Sequence, residues 1–227
     1  MQKEKSHQKL TRKKIMNQNQ LETATPEEVG VPSSAISAYF EKLADKQLCV
    51  HAVLMLRHGK IIAEAYAPPF HAERQHRMYS VSKSFVAAGV GLALGGGLLR
   101  LEDRVADYFP EALPDDPDPR ITAATVRDLL MMACPYGGTG YREKDPDWVK
   151  AFFHAKPTHA PGTLFRYNTG ATVVLNALVE KLSGQILPDF LRTRLFDPIG
   201  VSAGVRCVLR PEGGCWGGSG ILCTARD

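Results

Sequence analysis

Long apolar runs are missing from this 227-residue sequence. No stretch approaches the roughly 20 consecutive apolar residues that a membrane-spanning helix needs. No apolar segment follows the basic N-terminus, as it would in a secretory signal, and there are no internal repeats or low-complexity tracts. With 44% hydrophobic and 23% charged residues, the composition is that of a globular protein. We therefore expect a cytoplasmic protein that has no membrane partner.

An excess of basic charge is also missing outside the N-terminus. The formal net charge is +4, but residues 1–15 alone carry a local +5, which leaves about −1 on residues 16–227. A nucleic-acid-binding domain would show a basic stripe on its body, and this sequence shows none. We predict a disordered basic tail over residues 1–20, one domain over residues 21–227 and no nucleic-acid partner.

Cysteine is scarce, and its spacing does not suit a zinc site. Structural zinc sites use close Cys-x-x-Cys or His pairs, and the sequence has neither. An odd number of cysteines without a secretory signal is typical of reduced thiols in the cytosol. The five cysteines are Cys49, Cys134, Cys207, Cys215 and Cys223.

The sequence does contain a short hairpin followed by a long helical block. The two apolar runs of the hairpin flank the turn dipeptide His58-Gly59. One helix is predicted before it, and apolar residues recur at helical spacing from about residue 85 to residue 198. The pattern predicts that a lone N-terminal hairpin, which needs further strands to be stable, precedes a long helical block. The predicted segments are a helix at 32–46, strands at 51–57 and 60–66, helices at 85–94, 125–132, 148–153, 171–182 and 187–196, and a short apolar run at 221–223.

Ser80 and Lys83 form the most informative pair, because residues three apart on a helix are surface neighbours. A serine is a weak nucleophile until a base lies beside it. A lysine acts as that base only where burial or nearby positive charge lowers its pKa, and the helix predicted after Ser80 is apolar on all sides. Two alternatives remain open. Ser80 is also a good N-cap, and the same spacing occurs by chance at Ser6 and Lys9 in the polar tail.

A second group of candidate residues precedes the helix predicted to begin near Ala171. Tyr167 would place a phenolic oxygen, which both donates and accepts hydrogen bonds, near a helix start. The alternative for Tyr167 is one more half-buried aromatic residue. Asn168 and Thr169 are common N-cap residues, so capping is the alternative for both of them.

Taken together, these stretches resemble the serine beta-lactamase and penicillin-binding-protein superfamily, whose members share a Ser-x-x-Lys motif. The sequence is most similar to the class C beta-lactamase-like branch, which includes carboxylesterases, D-aminopeptidases and D-amino-acid amidases, and 6-aminohexanoate-dimer hydrolases. The order and spacing of the matching stretches carry the resemblance. They are Arg57–Lys60, Tyr79–Phe85, Gly97–Asp103, Val126–Leu130, Pro161–Gly170, Leu195–Gly200 and Thr224–Asp227.

The resemblance implies an α/β (α+β) fold of the beta-lactamase/transpeptidase type, with an antiparallel sheet that is incomplete here and a large helical region inserted after its first hairpin. It also implies a role for each candidate residue. Ser80 would form an acyl-enzyme, and its backbone N–H would supply half of the oxyanion hole. Lys83 would take the Ser80 proton, and Tyr167 would share the proton relay. Asn168 and Thr169 would contact substrate. Thr169 stands where the beta-lactamases have asparagine, so the sequence is more similar to the esterase and amidase relatives.

The family's third motif, Lys-Thr-Gly or His-x-Gly, lies on a C-terminal strand that this chain does not reach. Thr224 and Asp227 have the spacing of a capping box, which predicts a further helix and a domain that lacks its C-terminal part. We predict a serine hydrolase that cleaves a small-molecule ester or amide without metal or organic cofactor. The alternatives are a beta-lactamase or D,D-peptidase and a non-catalytic, truncated or degenerate hydrolase domain. The oligomeric state is left open.

Overall fold

The computed structural model describes residues 21–137 and 145–227. The predicted basic tail, with Ser6 and Lys9, lies outside these residues. The chain divides into two compact units. The first comprises the chain up to His76 together with Phe196–Ala203 and Cys223–Asp227, and the second comprises Arg77–Leu195 and Gly204–Leu222. The single domain expected over residues 21–227 remains a prediction.

The first unit contains the predicted helix and hairpin. Helix α1 covers Ser33–Asp45, and strands β1 (Ala52–Arg57) and β2 (Lys60–Tyr66) pair in antiparallel register. The turn between the strands has positive φ at both central residues, +51° at His58 and +76° at Gly59. This backbone twist matches that of the strands, which is why such turns are favoured in two-residue hairpins.

The second unit is built around one apolar helix. Its helices are α2 (Ser82–Gly95), α3 (Pro119–Thr122), α4 (Val126–Leu130), α5 (Trp148–Phe153), α6 (Thr169–Ser183) and α7 (Leu187–Leu191). Every residue of α6 from Gly170 to Val179 is buried, and α2, α4, α5 and α7 all pack against it. A hydrophobic helix surrounded by other helices forms the core of such a unit.

Two helix predictions differ from the structure. The sequence predicts α2 to be buried on all sides, but only one face is buried, and Leu94 is 38% exposed. The last helix was predicted to end at residue 196, before Asp197-Pro198. It continues instead through a π-helical turn, Arg192–Phe196, and helix α8, Asp197–Ile199. Pro198 is tolerated there because the first turn of a helix needs no intrahelical N–H bond at that position.

The remaining strands are short. They are β3 (His76–Arg77), β4 (Arg206–Cys207) and β5 (Ile221–Cys223), in the order β3-β5-β4. The described residues thus carry two small sheets rather than the single sheet expected. The mixed class, with antiparallel strands and a helical region after the first hairpin, is confirmed. No helix in the described part of the chain is both long and apolar enough to span a membrane.

Candidate active site

Ser80 lies in a single 3₁₀ turn, Tyr79–Val81, directly before α2. Tyr79 has φ of +45°, a conformation that is uncommon for residues other than glycine and recurs at functional sites. The Ser80 side chain is exposed. It makes no capping hydrogen bond to the turn or to α2, so the structure does not support the N-cap alternative.

Lys83 is oriented by two acceptors. Its Nζ donates to Ser80 Oγ at 3.3 Å and to the carbonyl oxygen of Gly218 at 2.8 Å. The first contact follows from the helical spacing of the two residues. The second connects α2 to a loop that lies 135 residues later in the sequence. Ser80 and Lys83 are therefore brought together as predicted.

Tyr167 joins this pair. A hydrogen bond with the Ser80 hydroxyl lowers the pKa of the Tyr167 phenol, partial burial opposes the effect, and the Lys83 amine adds to the lowering. Lys83 Nζ also lies 5.0 Å from the centroid of the Tyr167 ring, within cation–π range. The residue is 56% exposed, so it lies outside the buried core and its phenolic oxygen is open to proton transfer. This exposure is compatible with both interpretations of Tyr167, a member of a proton relay and a half-buried aromatic residue.

Asn168 and Thr169 have different surroundings. Asn168 is 2% exposed, and its Oδ1 accepts the backbone N–H of Ala171 at 3.2 Å. This geometry is that of the N-cap of α6, and it favours the capping alternative over contact with substrate. Thr169 is partly exposed and lines the same cleft as Ser80.

The loop Trp216–Ser219 forms the opposite side of the site, and sequence reasoning missed its role. A Cβ atom on Gly217 would lie 2.6 Å from Asn176 Cβ, and one on Gly218 would lie 2.6 Å from Thr169 Cγ2. Asn176 is fully buried, and its Nδ2 donates to the carbonyl oxygen of Cys215 at 2.7 Å. The only available signal was the Gly-Gly dipeptide, because both glycines permit close approach of the backbone.

Arg77 is a second residue that the sequence did not indicate. Its Nε donates to the carbonyl oxygen of Ser219 at 3.1 Å. Its Cζ lies 4.8 Å from the ring centroid of Tyr79 and 4.5 Å from that of Trp216. These residues surround a cleft of about 310 Å³ that includes Ser80. Among the described residues, no three His, Cys, Asp or Glu side chains converge to hold a metal ion.

Comparison with known proteins gives a consistent result. A family model described as Beta-lactamase matches residues 36–203. A 6-aminohexanoate-dimer hydrolase of Paenarthrobacter ureafaciens is 26% identical over 222 residues, which cover 90% of this chain and 57% of the relative. Esterase EstB of Burkholderia gladioli is 25% identical over 197 residues, which cover 74% of this chain and 50% of the relative. The chain thus spans about half the length of these relatives.

The fold comparison agrees. The structure of a class C beta lactamase from Rhodobacter sphaeroides superposes with a TM-score of 0.65 at 16% identity. The alignment covers 86% of this chain and 63% of that one. At this identity the likeness concerns the fold alone, and it confirms the predicted beta-lactamase type.

Proposed function

The chain belongs to the beta-lactamase family, and we propose that it is a serine hydrolase that cleaves an ester or amide bond through an acyl-enzyme on Ser80. The observation that carries the proposal is the 3.3 Å contact between Lys83 Nζ and Ser80 Oγ, with the Tyr167 ring centroid 5.0 Å from the same amine. A nucleophile within hydrogen-bond reach of a base that a third group orients is the arrangement that activates serine.

Lys83 is the proposed base. A general base takes a proton on a lone pair, which an unprotonated amine has beside its two N–H groups. The Gly218 carbonyl accepts one N–H at 2.8 Å, which fixes the amine and leaves its lone pair for the Ser80 proton. Ser80 Oγ then attacks the carbonyl carbon of the substrate, and Lys83 holds the proton that Ser80 releases.

Tyr167 is the proposed donor to the leaving group. Its ring centroid lies 5.0 Å from Lys83 Nζ, and hydrogen bonding with Ser80 lowers the pKa of its phenol. We infer that a proton passes from Lys83 through Tyr167 to the departing alcohol or amine. The backbone N–H of Ser80 would stabilise the oxyanion as charge develops on the substrate carbonyl. Water then attacks the acyl-enzyme, with the same groups acting in reverse to release the acid and restore Ser80.

The proposed substrates are small esters or amides. One of the two relatives is named a 6-aminohexanoate-dimer hydrolase, and the other is named an esterase. Thr169 beside Ser80, in place of the asparagine of beta-lactamases, fits such substrates better than lactams.

Hydrolysis of para-nitrophenyl butyrate tests the proposal. We expect Ser80→Ala to lower kcat/KM by at least about a thousand-fold, as loss of a serine nucleophile does in other hydrolases. Lys83→Arg should be similarly inactive, because a guanidinium cannot give up its proton to become a base. Ser84→Ala is the matched control, since Ser84 is exposed on the same helix.

A fluorophosphonate probe gives an independent measurement that requires no knowledge of the natural substrate. We expect labelling of the unsubstituted chain and of Ser84→Ala, and no labelling of Ser80→Ala. A folded, unsubstituted chain that neither labels nor hydrolyses the ester would favour a non-catalytic domain. Hydrolysis that survives Ser80→Ala would exclude Ser80 as the nucleophile.

A further inference from the structure

The guanidinium of Arg77 is fixed beside the catalytic serine, with part of its donor capacity unused. Its Nε is taken by the Ser219 carbonyl, and its plane lies near the rings of Tyr79 and Trp216. These contacts restrict rotation of the side chain. They leave the two terminal nitrogens, Nη1 and Nη2, available for another acceptor.

Arg77 also lacks a counter-ion among residues 21–137 and 145–227. Several other arginines of this part of the chain pair with an Asp or Glu side chain, as Arg210 does with Glu180 at 3.1 Å. The Arg77 side chain is only partly exposed, and a charge that has lost part of its water shell gains from an opposite charge. The other described residues that line the cleft are uncharged, and the Lys83 amine adjoins it.

We propose that Arg77 binds a carboxylate of the substrate, so that the enzyme prefers esters or amides whose acyl part carries an acid group. A carboxylate accepts two parallel hydrogen bonds from the Nη atoms of arginine, which gives orientation as well as affinity. The half-ester of a short dicarboxylic acid meets this requirement. A cleft of about 310 Å³ lies at the small end of ligand sites, which favours a short acyl chain. This inference rests on the proposed hydrolase function.

Two esters of equal acyl length test the inference. Mono-para-nitrophenyl succinate carries a terminal carboxylate, and para-nitrophenyl butyrate carries a methyl group in the same place. We expect the unsubstituted chain to prefer the succinate ester. Arg77→Met should reduce the succinate-to-butyrate ratio of kcat/KM by about 10- to 100-fold, the usual range for a hydrogen bond to a charged group. The change should lie mainly in KM.

Two further variants control for charge and for folding. Arg77→Lys keeps the charge and loses the paired Nη donors, so it should retain part of the preference. Arg104→Met removes an exposed arginine of the same unit and should leave the ratio unchanged. If Arg77→Met lowers the rate for both esters equally, Arg77 only holds the loop Trp216–Ser219, and the inference is wrong.

Binding to Ser80→Ala separates this inference from the proposed function, because that variant does not require turnover. Calorimetry should show tighter binding of the succinate ester than of the butyrate ester, and Arg77→Met in the same background should remove the difference. Absence of hydrolysis by the unsubstituted chain would count against the proposed function, while this measurement would still test Arg77. Equal binding of the two esters to Ser80→Ala would overturn the inference.

Discussion

Two serines near the start of α2 serve different purposes. Ser80 is exposed and faces Lys83, whereas Ser82 is fully buried, and its Oγ accepts the backbone N–H of Ile221 at 3.1 Å. Removal of the Ser82 hydroxyl would leave the buried Ile221 N–H without an acceptor, at a cost of about 1–3 kcal/mol. The Ser82 hydroxyl therefore stabilises the contact between α2 and β5, whereas the Ser80 hydroxyl is available for catalysis.

Tyr167 gives a prediction about the pH dependence of the reaction. Its phenol has a pKa below the ordinary value, chiefly because of the hydrogen bond with Ser80. If the phenol donates a proton to the leaving group, kcat/KM must fall as pH rises through this lowered pKa. We expect an alkaline limb below about pH 10. Tyr167→Phe should lower kcat/KM by about 10²- to 10⁴-fold and abolish that limb.

Measurement of kcat/KM across the neutral and alkaline range checks the role of Tyr167. Tyr79→Phe is the matched control, because Tyr79 lines the same cleft and its ring remains available to Arg77. The control should keep the alkaline limb. Retention of nearly full activity by Tyr167→Phe would contradict the proposed proton transfer.

At the scale of elements, the site depends on how closely the loop Trp216–Ser219 approaches α2 and α6. A Cβ on Gly217 would meet Val86 of α2 and Asn176 of α6, and one on Gly218 would meet Thr169 at the start of α6. Asn176 then holds the preceding carbonyl of Cys215. The position of the Gly218 carbonyl, and with it the orientation of Lys83, follows from helix packing rather than from the loop itself.

Two glycine substitutions are expected to have opposite effects on the free energy of unfolding. A Cβ on Gly217 would lie 2.6 Å from both Asn176 Cβ and Val86 Cγ2, so Gly217→Ala should destabilise the chain by about 1–3 kcal/mol. Gly91 lies within α2, and a Cβ added there would meet none of the described atoms within 4 Å. Gly91→Ala should therefore stabilise the chain by about 0.5–1 kcal/mol.

Urea denaturation of both glycine variants measures the free energy of unfolding, and labelling by the fluorophosphonate probe measures the reactivity of Ser80. We expect Gly217→Ala to label slowly even where it is folded, since the Gly218 carbonyl must shift. Gly91→Ala should label like the unsubstituted chain. Normal labelling of a folded Gly217→Ala would show that Lys83 does not need the Gly218 carbonyl.

Across the whole molecule, most carboxyl groups with shifted pKa values are stabilised in their charged form. The pKa values of Glu64 and Asp118 are each lowered to about 2, mainly by hydrogen bonds from Arg226 and Arg120 respectively. The pKa of Glu212 is raised instead, because burial disfavours its charge. The carboxyl groups with lowered pKa values among the described residues are Glu27, Glu28, Glu64, Glu102, Asp103, Glu111, Asp118 and Asp227.

These shifts predict loss of stability in acid. A carboxyl group whose pKa is lower in the folded state stabilises it fully above the unfolded pKa, and this contribution is lost as pH falls through the folded pKa. For Glu64 the window runs from its ordinary value of 4.5 down to about 2. We expect the thermal midpoint to fall over this range. The fall should be smaller in Glu64→Gln, with Glu73→Gln, an exposed acid, as control.

Particular residues show how far the sequence allowed prediction. The turn dipeptide His58-Gly59 and the 3.6-residue periods located the hairpin and most helices, because these signals act between near neighbours. Ser80 and Lys83 were found by their three-residue spacing, which one helical turn brings together. Asn168 was expected to contact substrate, but it is buried as the N-cap of α6, and its burial depends on segments that are distant in the sequence.

The sequence by itself determined the local elements, the family resemblance and the spacing that puts a hydroxyl next to an amine. Only the tertiary structure decided which groups complete the site. The Gly218 carbonyl and Arg77 reach the site of Ser80 because α2 packs on α6 and the loop Trp216–Ser219 closes against both helices. Such contacts join segments more than a hundred residues apart. Their geometry is set by side-chain packing between elements, for which no local pattern in the sequence is a signal.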